Sequence, residues 1–325
     1  MSSSFSIMTH TEALKESEES DVWVIDHIVS ASSTIIYGET ESGKSFLVSA
    51  LIASLTTGQP FLEREVPQDR DFSVAVCWTD DRGAAEYSSR IQSVMPEGAE
   101  PNVKYYGLPI MQGRDMWREL RDAIIDNGHN FVVIDNLTQC LNGSMNQDEV
   151  VREFFDGVRM FTGSGIPVVI VGHSSDKSGM NGVKSDKPMG SALVSQSVRW
   201  RCFARRSRKG NLTLKFSGNH AEPYELVLKH GAGARFSVEK TRASEELERE
   251  DEARKRNREQ QRMDETAERA QWVVQHCQGL NTSATARKLA EQFGGSSDRF
   301  RKDLSERKLS KLLTRTEGDR WALAT

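Results

Sequence analysis

Three groups of residues have the types and the spacing for phosphoryl chemistry. The first is Gly38-Glu39-Thr40-Glu41-Ser42-Gly43-Lys44-Ser45-Phe46, which carries the spacing G-x-x-x-x-G-K-S. A nucleoside triphosphate crowds several negative charges into a small volume, and a glycine-bounded loop can aim successive backbone N–H groups at them. A helix opening near Gly43 adds the positive end of its dipole. Lys44 has the reach for the β- and γ-phosphates, and the Ser45 hydroxyl can hold Mg²⁺. A chance Gly/Lys turn is the alternative, but the apolar strand before the loop and the apolar helix after it both match the context this motif requires. The second group is Asp135, closing the apolar run 131–134. A carboxylate there can bind Mg²⁺ through water; alone it could be an Asx-turn residue, and the upstream loop favours the metal. The third is Asp80-Asp81, closing the apolar run 72–79. Either could activate the attacking water, or both could be solvated turn residues.

Two further features depend on position. His173 follows a fourth apolar run, 166–171. It could sense the γ-phosphate and relay its loss to the loop beyond, or serve only as a structural hydrogen-bonding group. Arg199, Arg201, Arg205, Arg206, Arg208 and Lys209 form a basic cluster. One of them could enter a neighbouring subunit's site as an arginine finger; a solvated basic face is the alternative.

Buried apolar runs alternate with helical patterns along residues 34–171, which predicts an α/β fold with a mostly parallel sheet. Ligands bind beyond the carboxyl ends of such strands, where the loop, Asp80-Asp81, Asp135 and His173 would converge. Residues 1–20 are polar and are expected to be flexible; the apolar segment 22–29 could pack beside the nucleotide. Residues 174–187 are rich in Ser, Gly, Lys and Asp and predict a mobile loop. The stretch 190–204 fits a helix or a buried segment, and 212–216, 224–228 and 236–238 fit antiparallel strands.

The whole chain has 325 residues and a net charge of −4, so a nucleic-acid surface would have to be a local patch. Four cysteines without C-x-x-C spacing argue against structural zinc and a disulfide framework, and suit a reducing cytoplasm. No apolar run reaches membrane-spanning length. The organisation expected is a flexible N-terminus (1–20), an ATPase domain (21–240), a charged linker or polar helix (241–263) and a small domain (264–325). The last has a helix, helix–turn–helix, hairpin pattern, the layout of a winged helix. Arg299, Arg301 and Lys302 on its third helix supply the cations that phosphate contacts need; interleaved acids leave protein docking as the alternative.

Residues ~20–240 resemble the RecA-like ATPases close to the RepA-type hexameric replicative helicases, near the DnaB and KaiC groups. The resemblance is carried by Trp23-Val24-Ile25-Asp26 before I-I-Y-G-E-x-x-S-G-K-S, by T-G-Q-P-F, V-V-I-D-N-L and G-H-S-S, and by M-G-S-A-L-V-S-Q-S-V-R-W with L-T-L-K-F-S-G-N. It implies a RecA-like P-loop core assembled as a ring, with ATP sites between subunits. By the same resemblance Lys44 and Ser45 bind phosphate and Mg²⁺, Asp135 is the Walker B acid, His173 the sensor, Arg199 the R-W arginine, and Lys215 the strand lysine that reaches a neighbour's nucleotide. Three positions depart from the family: Asp80-Asp81 stands for the usual Glu base, Met189 for a frequent Arg, and Ser217 interrupts the K-x-R finger pattern.

Two functions follow as expectations. One is a cytoplasmic, Mg²⁺-dependent, ring-forming ATPase, expected as a hexamer, that acts on single-stranded DNA as a replicative helicase or helicase-like motor of a plasmid or phage, with Lys177, Lys184 and Lys187 facing the channel. The other is an ATP-switched DNA-binding initiator, loader or regulator with slow turnover.

Overall fold

A computed structural model describes residues 7–174, 186–190, 192–207, 210–316 and 320–324, apart from the side chains of 244, 248, 250, 251 and 254. The chain divides into two compact units, residues 1–244 and 245–325.

The first unit opens with helix α1 (His10–Glu19), although this stretch is expected to be flexible. Thr9 and Glu12 form a reciprocal capping box at its start, which satisfies N–H groups that an uncapped helix leaves open. A small hairpin of β1 (Trp23–Ile25) and β2 (Val29–Ser30) follows. The core then runs β3 (Ser33–Gly38), α2 (Lys44–Thr57), β4 (Val74–Trp78), α3 (Gly83–Gln92), β5 (Val103–Gly107), α4 (Gly113–Asp126) and β6 (Phe131–Asp135). After it come α5 (Leu137–Cys140), α6 (Asp148–Thr162), β7 (Val168–His173), α7 (Ala192–Ser197) and β8 (Trp200–Arg206). The unit closes with β9 (Leu212–Gly218), β10 (Tyr224–His230) and β11 (Phe236–Ala243).

Nine strands form one sheet in the order β11-β10-β9-β8-β3-β7-β6-β4-β5. The six from β8 to β5 are parallel, and β9, β10 and β11 continue antiparallel. This is the expected α/β arrangement with a mostly parallel sheet, and β3 is at the centre between β7 and β8. Alternate strand residues feed two cores, one on each face, because successive side chains in a strand point to opposite faces. On one face Ile36, Val76 and Val133 pack with Leu47, Leu51 and Ile52 of α2 and Tyr87 and Ile91 of α3. On the other, Ile35, Val132 and Ile134 pack with Trp117 and Ile124 of α4 and Val151, Phe155 and Phe161 of α6. The α4–α6 contact closes on Trp117, whose ring meets Phe154 edge-on at 5.4 Å. A Cβ on Gly157 would lie 2.1 Å from that ring, so the helices approach only because the residue is glycine.

The apolar segment around the first hairpin does not pack beside the P-loop. Its turn residue His27 accepts hydrogen bonds from Trp200 Nε1 (3.0 Å) and Tyr224 Oη (2.7 Å). Trp200 is in register with Thr34, at the opposite end of β3 from Gly38. Strand β8 is the element the sequence pattern leaves ambiguous. Trp200, Cys202 and Ala204 are buried, and the arginines interleaved with them disguise the two-residue period.

The second unit begins in a long helix, α8 (Ser244–His276), so the charged stretch is helical. Its pairs Glu245–Arg249, Glu252–Arg256 and Glu265–Arg269 have the favourable acid-before-base order at i,i+4. Helix α9 (Thr282–Phe293) is capped by Asn281, and α10 (Ser297–Ser305) by Ser296. The hairpin β12 (Leu313–Thr316) and β13 (Arg320–Leu323) completes it. Val273, Leu289, Phe300, Leu304 and Trp321 form a separate core. Trp321 Nε1 donates to Thr285 Oγ1 at 3.1 Å, which satisfies the one polar atom of the indole.

All four cysteines are buried and free. Among the described residues no helix is long and apolar enough to cross a membrane.

Candidate active site

The carboxyl ends of β3, β4, β6 and β7 meet at one edge of the sheet, and each delivers one of the expected residues. Gly38 ends β3 in register with His173, the last residue of β7. A Cβ on Gly38 would stand 2.0 Å from the Ala204 carbonyl oxygen, so this corner of the loop admits only glycine. Gly43, the N-cap of α2, takes φ +97°, a left-handed conformation that turns the backbone from loop to helix. Thr40 and Glu41 are exposed at the crest of the loop, while Ser42 is buried.

Lys44 is buried inside this loop. Its ammonium donates to the Glu39 carbonyl at 2.8 Å and the Gly38 carbonyl at 3.1 Å. Burial pulls its pKa below the ordinary lysine value, and the Asp135 carboxylate opposes that shift. A buried ammonium held by neutral carbonyls, at a helix N-terminus, is chemically matched to a polyphosphate.

Asp135 is buried at the end of β6, and one of its oxygens, Oδ2, accepts two hydroxyl hydrogen bonds. Ser45 Oγ donates at 3.1 Å and Tyr87 Oη at 2.5 Å. Burial pushes the Asp135 pKa up, and the two hydroxyls and Lys44 act against that push. The Tyr87 phenol lies well above its usual pKa, first through burial and then through the charge of Asp135, so it is a hydrogen-bond donor at neutral pH. A serine hydroxyl beside a carboxylate is the hard-oxygen pair that suits Mg²⁺, and the donor set fits the metal expected from the sequence.

Asp80 follows β4 and is exposed. Thr79 N–H donates to the Asp135 carbonyl at 3.0 Å, and the Asn136 N–H donates to Thr79 Oγ1 at 3.1 Å, so the ends of β4 and β6 are stapled together. The Asn136 side-chain amide makes a long contact with Asp80 Oδ1, at 3.5 Å. Asp80 is also near enough to Asp135 to push its pKa upwards. Asp81 is exposed one residue further on, in the turn before α3. Of the two candidate bases, Asp80 is the one tied to the strand that carries Asp135.

His173 is half-buried, and its carbonyl accepts from Met189 N–H at 2.8 Å. The Ser174 N–H donates to the Gly38 carbonyl at 3.1 Å, and Ser174 pairs with Pro188. The two ends of the loop that carries Lys177 and Lys184 therefore meet beside the P-loop; those two lysines lie outside the described residues. Lys187 is exposed next to this base.

Strand pairing separates the downstream cations along the sheet. Arg199 precedes β8, its N–H bonding Ser33 Oγ at 3.2 Å, at the end of the sheet away from the P-loop. Arg205 and Arg206 follow Ala204, the register partner of Gly38, and are the described cluster members nearest the phosphate end. Arg208 and Lys209 lie outside the described residues. Lys215 lies on β9 in register with Phe203, and its ammonium pairs with Asp186 at 3.3 Å. In the second unit, Arg301 pairs with Asp298 at 3.5 Å on the solvent side of α10, where Lys302 is also exposed, whereas Arg299 turns into a cleft against α8.

Two participants carry no motif, Tyr87 and Thr79, and Asn136 stands in V-V-I-D-N-L without a role assigned to it there. A further feature flanks the first turn of α2. The Phe46 ring lies 4.7 Å below the Arg90 guanidinium and 5.3 Å from His230, which stacks on Phe236 at 4.5 Å. Phe46, Arg90, Ser93 and Gly233 line a cleft of about 510 Å³ there.

A family model described as an AAA domain, AAA_25, matches residues 3–179, a span that holds the P-loop, Asp80, Asp135 and His173. No curated protein matches the chain. Among solved structures, one described as an ATPase domain superposes with a TM-score of 0.49 and 12% identity, over 70% of this chain and 96% of that one.

Proposed function

We propose, from the premise that the chain belongs to the AAA_25 family of AAA domains, that it is a Mg²⁺-dependent, ring-forming ATPase that acts on DNA as a helicase-like motor. The observation that carries the ATPase part is the Ser45–Asp135–Tyr87 cluster at the mouth of the P-loop, 3.1 and 2.5 Å apart along its hydrogen bonds, with Asp80 beside it. Lys44 exchanges its carbonyl partners for phosphate oxygens. Ser45 and Asp135 hold the metal, which when bound neutralises charge on the transferring phosphoryl group. Asp80 accepts the proton of the attacking water. The cleft at Phe46 and Arg90 receives the nucleobase, since it begins one residue beyond Ser45 and offers an aromatic face with a cation above it.

The motor reading is supported by the placement of His173 in register with Gly38. Lys215 and one of Arg199, Arg205 and Arg206 would act on a neighbouring subunit's nucleotide, in a hexamer. A second reading, an ATP-switched DNA-binding protein with slow turnover, is favoured by one observation: the base is an aspartate, whose shorter side chain is exposed and only loosely held. In either case residues 264–325 would serve as a winged-helix-like recognition module.

The deciding measurement is ATP turnover with and without single-stranded DNA, for the wild type and Lys44→Ala. The motor requires strong stimulation that Lys44→Ala abolishes and that survives removal of residues 264–325. Tight ATP binding with negligible turnover, and DNA binding that disappears with the tail, would leave the switch.

A further inference from the structure

The cleft into which Arg299 turns has a charge pattern that the ATPase site does not account for. It lies within the second unit, has a volume of about 330 Å³, and is lined from one side by α8 and from the other by α10 and the residues just beyond it. Four of its cations, Arg262, Arg299, Arg307 and Lys308, have no side-chain hydrogen bond or ion pair among the described residues, and all four are exposed. A fifth, Arg269, is held in place: Glu265 pairs with it at 3.3 Å, and its guanidinium lies over the rings of Phe293 (5.7 Å) and Phe300 (5.9 Å). Its Nε is buried without a partner. Against these five cations the cleft sets two carboxylates, Glu265 and the half-buried Asp303. Like charges converging on one concavity repel unless an anion enters it. The outer face of α10 differs, because there Arg301 has its own acid in Asp298.

We propose that this cleft binds the phosphodiester backbone of a nucleic acid, with Arg262, Arg299, Arg307 and Lys308 as the phosphate-contacting cations. Asp303 limits its affinity. The choice of ligand rests on the reading that the protein acts on DNA; the convergence of cations does not. The contacts proposed are to phosphates, which position a strand without selecting a sequence. The ligand class is distinguished from free phosphate by size, since a backbone offers several phosphates to the four cations at once.

The test uses the full chain and a fluorescently labelled 20-nucleotide DNA, single-stranded and duplex, titrated over a range of salt concentrations. Arg307→Glu/Lys308→Glu is expected to weaken binding at least tenfold and to reduce the slope of log K against log[salt] by roughly 1–2, the loss of two phosphate contacts. Asp303→Asn is expected to tighten binding several-fold, an effect that a damaged fold does not produce. Arg301→Glu/Lys302→Glu, on the outer face, is expected to cost less than the cleft variant. Equal losses for the two double variants, or no response to Asp303→Asn, overturn the proposal. Displacement of the DNA by millimolar inorganic phosphate overturns it too, in favour of a free-phosphate site. ATP turnover measured in parallel separates the two readings: DNA-stimulated turnover with wild-type DNA affinity in the cleft variants sinks the cleft alone. Weakened DNA binding in those variants, without any DNA-stimulated turnover in the wild type, sinks the motor alone.

Discussion

At the scale of single residues the site turns on which carboxylate does what, and burial separates the roles. Asp135 is enclosed and hydrogen-bonded by two hydroxyls, so it holds position; Asp80 is exposed and near it, so it can exchange a proton with water. Asp80→Asn should leave ATP binding intact and lower turnover by about 10²–10⁴-fold, the usual range for general acid–base catalysis, whereas Asp81→Asn should stay within a few-fold of the wild type. Turnover and nucleotide affinity measured together check both, and equal losses would show that the geometry at Asn136 is misleading. Tyr87→Phe removes a hydrogen bond to a charged acceptor and should cost about 1.5–3 kcal/mol of stability. It should also raise the Mg²⁺ concentration needed for tight nucleotide binding, because the Asp135 carboxylate is then oriented by Ser45 alone. Denaturant unfolding gives the first quantity and a Mg²⁺ titration of nucleotide binding the second.

At the scale of elements, the parallel strands and their acids were legible in the sequence because strands buried on both faces are continuous apolar runs ending abruptly in polar residues. Residues 72–79 and 131–135 show this directly. What was not legible depends on contacts distant in sequence. Tyr87 is one aromatic on an amphipathic helix until α3 packs it against a residue 48 positions away. Arg199 and Arg205 look alike in the chain, and only the pairing of β8 with β3 puts them at opposite ends of the sheet. The capping box that orders α1 was present as Thr9 and Glu12, but the polar composition around it pointed to a flexible tail. Two predictions belong to this scale. Gly157→Ala forces a methyl into Trp117 and should destabilise the α4–α6 contact by about 1–3 kcal/mol, visible as a lower midpoint of unfolding. His129, buried beside Ser73 Oγ at 2.8 Å, has a pKa below the ordinary histidine value, chiefly through burial and then through Lys104. The unfolded chain therefore binds this proton more readily than the folded one. The stability involved is fully present above the unfolded pKa and is lost as pH falls through about 6.5 towards the folded value. The wild type should lose stability between roughly pH 7.5 and 5.5 more steeply than His129→Gln, and parallel slopes would remove His129 from the account.

At the scale of the whole molecule, the separate cores of residues 1–244 and 245–325 mean that chemistry and the basic cleft belong to units that each bury their own apolar residues. A chain ending at Ser244 should keep its nucleotide affinity within a few-fold of the full chain, measured with the same labelled nucleotide, and a collapse of binding would show that the first unit depends on the second. The burial of the cysteines has a practical consequence. Enclosure raises the pKa of all four thiols, that of Cys140 to about 12, and the reactive thiolate is correspondingly scarce. The native chain is thus a blank background for maleimide dyes. One cysteine placed at an exposed position such as Thr40, on the crest of the P-loop, would take up a fluorophore selectively and turn the arrival of nucleotide into light.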